Sequence, residues 1–153
     1  MKSINKTKIG IGLLIIIVVM QFFRVDQSNG EANTSKDFIH MTQPAGEVKM
    51  ILTSACYDCH SVRTEYPWYA NIAPVSWWIK HHVDEGSEHL NFSVWGDYSA
   101  KRQDHKLEEI IEEVEEGEMP LKSYTWMHAE AKLSDEQKSA LIDWVKELRK
   151  SYK

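Results

Sequence analysis

The sequence predicts an all-α protein, a helical domain behind one apolar N-terminal helix. Three observations carry that reading. Apolar residues recur three and four apart in four separate segments. Gly and Pro fall between those segments, as expected of loops. No segment alternates apolar and polar residues for the length of a strand.

Residues 1–25 read as a signal anchor or signal peptide. Lys2, Lys6 and Lys8 precede an apolar run from Ile9 to Phe23, and Arg24 follows it. The run is about 15 residues, against about 20 for a bilayer-spanning helix. Lys8 and Arg24 extend its reach by snorkelling. Bulky Phe22 and Phe23 stand where a cleavage site wants small residues, so an uncleaved anchor is expected. The flanking lysines place the N-terminus in the cytoplasm and the remainder outside a bacterial cytoplasmic membrane, in a single pass. Residues 26–39 open with DQSNGEANTS and read as a linker. Residues 40–153 suit one domain.

Within the domain, Val48, Ile51, Leu52 and Ala55 form the first stripe, with Pro44 ahead of it. Val75, Trp78, Ile79, His82 and Val83 form the second, after Pro74 and before Gly86. Leu107, Ile110, Ile111 and Val114 form the third, closed by Gly117. The last helix begins at a capping box, Ser134 with Gln137, and carries Leu141, Trp144, Val145, Leu148 and Tyr152. The chain has 18 Lys+Arg against 23 Asp+Glu, a net charge of −5. Lys2, Lys6, Lys8 and Arg24 sit at the N-terminus, so the domain is more acidic than the whole. Such a domain does not favour nucleic acid. The glutamates between Glu108 and Glu118 lie mostly opposite the third stripe. They read as a solvated face, or as a docking patch for a basic partner.

The most informative five residues are Cys56-Tyr57-Asp58-Cys59-His60, a CxxCH. That spacing is the attachment signature of c-type haem. Thiols three apart on a helical turn reach the two vinyl groups of one porphyrin, and the following imidazole turns onto the iron. Cys56 and Cys59 are therefore expected as thioether anchors, with His60 as the proximal ligand. These are the only two cysteines, so a zinc site with three or four thiolates is excluded. A site of two cysteines and two histidines lacks a suitably spaced downstream histidine pair. A redox dithiol lacks a βαβ context. A disulfide here closes too small a loop to stabilise much.

Met119-Pro120 lies some way downstream, before the final amphipathic helix. That arrangement resembles small class I cytochromes c, in which the methionine sulfur is the distal ligand; Met119 is expected to take that role. Its rival is His82, which shares the stripe of Trp78, Ile79 and Val83, and then His81. His89, His128, His40, His105 and Met127 are weaker candidates. The aromatic segment 66–78 reads both as core and as porphyrin lining. Arg63 reads as a propionate partner or as a solvated side chain.

The strings CYDCHS, YPWY, IAP, HHV and MPLKSY occur in this order over residues 40–150. They resemble the bacterial haem-binding domain family of small, membrane-anchored extracytoplasmic proteins. The resemblance implies haem held by Cys56, Cys59 and His60 in a cytochrome c-like helical domain. The expected function is a monohaem c-type cytochrome with covalent haem c and its iron. It would pass single electrons between extracytoplasmic redox proteins, with no catalytic residue required. The alternative is a haem sensor or small peroxidase with an open distal site, using His82 or His81 as base. A third reading is a zinc- or disulfide-stabilised helical domain.

Overall fold

The computed structural model describes residues 6–152, and among these the regular structure is entirely helical. Its α-helices are α1 (Lys6–Met20), α2 (Phe38–Thr42), α3 (Gly46–Ala55), α4 (Tyr57–His60), α5 (Val75–His89), α6 (Ala100–Glu116), α7 (Lys122–Met127) and α8 (Asp135–Arg149). Short 3-10 turns fill several of the connections, among them Trp68–Asn71 and Phe92–Asp97.

The helix boundaries follow from local chemistry. The Ser99 hydroxyl accepts from the Arg102 amide and starts α6. Gly117, at φ 75°, ends it in the left-handed conformation that a Cβ disfavours. The Glu118 and Met119 amides then turn back to donate to the Glu113 carbonyl. The expected capping box at Ser134 and Gln137 is present and starts α8.

The core lies between α3, α6 and α8. Val48, Ile51 and Leu52 of α3, Leu107, Ile111 and Val114 of α6, and Leu141 and Val145 of α8 are buried together. Three of the four predicted stripes thus close on one another. Phe38 caps this core. It stacks on Phe92 at 4.9 Å and meets Trp95 edge-on at 4.7 Å. Arg149 ties α8 to α6 by donating to Asp104 at 2.6 Å and Glu108 at 2.9 Å. Part of the acidic face is therefore paired within the molecule; Glu115 likewise meets Lys146.

The helix that carries the second stripe, α5, does not stop at Gly86 but runs through it to His89. The reason is packing, described below. The N-terminal apolar helix is 15 residues long and buries none of them. Among the described residues no helix is long and apolar enough to cross a membrane.

Candidate haem site

α3 delivers the chain directly into Cys56, which caps it with φ −126° and ψ −42°. That non-helical residue breaks the run, so Tyr57–His60 forms a separate single turn. Three residues of this turn, Tyr57, Asp58 and His60, are held by side-chain bonds to other elements. The Tyr57 ring stacks on Phe92 at 5.1 Å, and its hydroxyl donates to Asp37 Oδ1 at 3.1 Å. Asp58 Oδ2 accepts from the Tyr124 hydroxyl at 2.6 Å, while its Oδ1 accepts from the Glu65 amide at 3.0 Å. The two residues between the cysteines therefore fasten α4 to α2 on one side and to α7 on the other.

His60 is oriented by backbone. Its Nδ1–H donates to the Gly86 carbonyl at 2.9 Å and to the Leu90 carbonyl at 3.1 Å. Carbonyls only accept, so the proton must sit on Nδ1, and Nε2 keeps its lone pair. This is the outer-shell arrangement that fixes the tautomer of a metal-ligating histidine. Burial also holds the His60 pKa below its ordinary value, which keeps the ring neutral.

Gly86 is what allows this approach. A Cβ built there would lie 2.8 Å from the Cys59 carbonyl oxygen and 3.1 Å from the Cys59 Cβ. Only glycine lets α5 press its backbone onto α4 and present carbonyls to His60.

Cys59 lines a cavity of about 380 Å³. Trp68, Val75, Trp78, Ile79, Val83, Leu121 and Met127 give it apolar walls; Tyr66, Tyr69, Tyr124, His82 and His128 contribute rings with polar atoms. The second stripe of the sequence thus faces this cavity. Cys56 and Cys59 form no disulfide with each other. Burial, and the neighbouring Cys59, push the Cys56 thiol up to about 12. Burial and Asp58 push the Cys59 thiol up to about 11.

The axial candidates are divided. His82 lines the cavity, and its Nδ1–H donates to the Trp78 carbonyl at 3.0 Å, so Nε2 is free. His81 points away and meets Glu85 at 3.4 Å. His128 is engaged at both nitrogens, by the Tyr69 hydroxyl at 3.0 Å and Glu130 at 3.3 Å. Met119 packs against the α3/α6/α8 core and is not part of the cavity wall. Arg63 lies 3.8 Å from the buried Asp37 carboxylate, on a neighbouring polar cleft.

Sequence reasoning missed Tyr57, Asp58, Gly86 and Tyr124. Only the glycine carried a signal, as an isolated Gly inside a helical pattern, which marks close packing as readily as a helix end.

A half-buried, carbonyl-oriented histidine follows two thiols, one of which lines an aromatic-walled cavity, and these are the donors and walls of a helical haem-binding protein. The donor set and the apolar walls suit that group. The chain belongs to the haem-binding domain family, whose model matches residues 15–147. No curated protein and no solved structure matches it. Its cofactor is haem.

Proposed function

We propose that this protein is a membrane-anchored monohaem c-type cytochrome that carries single electrons at the outer face of a bacterial cytoplasmic membrane. Cys56 and Cys59 hold the haem as thioethers, and His60 Nε2 is the proximal ligand. The observation that most supports this is the His60 ring, fixed through Nδ1 by two carbonyls immediately after a thiol pair. Bound haem supplies one-electron chemistry, with a potential tuned by the axial ligands and by the exclusion of water.

The chain's own residues serve that use by staying still. The Gly86 and Leu90 carbonyls hold the proton on Nδ1 and leave the other ring nitrogen as the donor. Tyr57 and Asp58 fix the turn from both sides. The apolar side chains of the cavity wall would pack against the porphyrin faces. Of the two axial candidates, Met119 and His82, the second is favoured, because His82 lines the cavity and its Nδ1, not its Nε2, is bonded to the Trp78 carbonyl. The partners are extracytoplasmic redox proteins, and α1 with the residues just after it is the membrane attachment.

The test is an optical spectrum of protein expressed with haem-attachment machinery, with Met119→Ala and His82→Ala alongside. A low-spin spectrum, unchanged in Met119→Ala and turned high-spin in His82→Ala, is expected. The reverse pattern reinstates Met119. A high-spin wild type that binds carbon monoxide replaces the carrier by the sensor or peroxidase reading, with His82 as distal base. No Soret band would leave the zinc or disulfide reading.

A further inference from the structure

α1 ends at Met20, and the chain is pinned to the haem domain from the next residue on. The Gln21 side chain makes a two-way pair with Ala73, donating to its carbonyl at 3.0 Å and accepting from its amide at 3.0 Å. The Trp77 indole N–H donates to the Phe23 carbonyl at 2.7 Å. The Gln27 side chain donates to the Ala70 carbonyl, and Asn29 donates to the Thr64 carbonyl at 3.2 Å. Residues 21–29 therefore form a strap across the turn Trp68–Asn71 and the start of α5, which are also elements of the cavity wall.

Four large apolar side chains are exposed around this strap, among the polar Arg24, Asp26 and Asn71. Phe22 is 81% exposed, Phe23 65%, Trp68 77% and Ile72 44%. The chain entering this surface is the apolar α1, none of whose residues is buried. Length decides where the surface must sit. A 15-residue helix rises about 22 Å, and the hydrocarbon core is about 30 Å thick. A short span is accommodated by thinning the bilayer and by drawing flanking residues into it. Here the flanking residues are Phe22 and Phe23, which are fixed to the domain, so the domain is drawn in with them. Exposed Trp68 is the residue type that settles at the headgroup boundary.

We propose that the Phe22, Phe23, Trp68 and Ile72 face is a contact surface for the phospholipid interface. The strap holds the haem cavity in one orientation against the bilayer that α1 enters. This rests on the anchored-cytochrome reading, and the experiment separates the two. Full-length haem-loaded protein is reconstituted in phosphatidylcholine bilayers, floated, and oriented on a solid support. Linear dichroism is then read in the Soret band. A strapped domain gives a dichroic signal that falls at least twofold in the Gln21→Ala/Trp77→Phe double variant, whose solution spectrum and helicity match the wild type. An isotropic wild type, or a double variant as dichroic as the wild type, overturns the strap. The variant Ile72→Glu, which touches no strap bond, is expected to weaken the signal as well. A full signal there removes the lipid contact. Absence of haem from the floated fraction defeats the anchoring reading itself.

Discussion

The two sides of the domain are built by different means. On the α3/α6/α8 side, side chains do the work: apolar stripes bury one another, and side-chain caps set the helix ends. On the α4/α5 side, backbone sets the geometry: a glycine admits close approach, and two carbonyls orient the His60 imidazole. The first construction tolerates substitution in proportion to buried volume. The second is intolerant of a single methyl group.

The largest separation of the two comes from Leu107→Ala. Leu107 is fully buried in the core, and the change is expected to cost about 2–5 kcal/mol of stability. Covalent haem per folded molecule should stay at the wild-type level. Denaturant melting with a haem determination on the folded fraction measures both.

The thiols of the haem-free protein give the second contrast. Burial raises Cys59 from 9.0 to about 11, so at pH 8 its thiolate fraction falls about a hundredfold. Alkylation by iodoacetamide should slow by that factor in the native state and recover in denaturant. The raised value means that reactivity climbs with pH well past the ordinary thiol range. Mass spectrometry of timed samples follows it.

Two glycines sharpen the comparison further. Gly86→Ala drives a Cβ against the Cys59 backbone and is expected to cost about 1–3 kcal/mol. It should also lower haem incorporation, because the Gly86 carbonyl that orients His60 is displaced. Gly117→Ala places a Cβ at φ 75° with open space around it, and is expected to cost about 1 kcal/mol. Haem content there should not change. Melting curves and Soret absorbance for the pair decide whether the haem side is governed by close approach.

The same division explains what was legible in the sequence. Leu107, Ile111 and Val114, closed by Gly117, announce α6, because stripe and cap act locally. Ser134 and Gln137 do so for α8. The Cys56–His60 spacing announces the thiols and the imidazole for the same reason. Gly86 carries no such local signal, since a glycine that ends a helix and one that admits a neighbouring helix look alike until the neighbour is placed. Met119 stands before the last helix and packs against the core, a placement its position in the chain does not reveal. His82 looked like part of an apolar helix face, and that face lines a cavity. The strap from Gln21 to Asn29 was hidden because its bonds reach backbone carbonyls and an amide far along the chain.

The central claim is that Cys56 and Cys59 together hold one haem beside a carbonyl-fixed His60. Acidified-acetone extraction followed by peptide mapping tests it most directly. The account predicts that the haem stays with the polypeptide and maps to a single peptide in which both cysteines resist alkylation. Haem released into the solvent, with both thiols free to alkylate in the denatured chain, would contradict it.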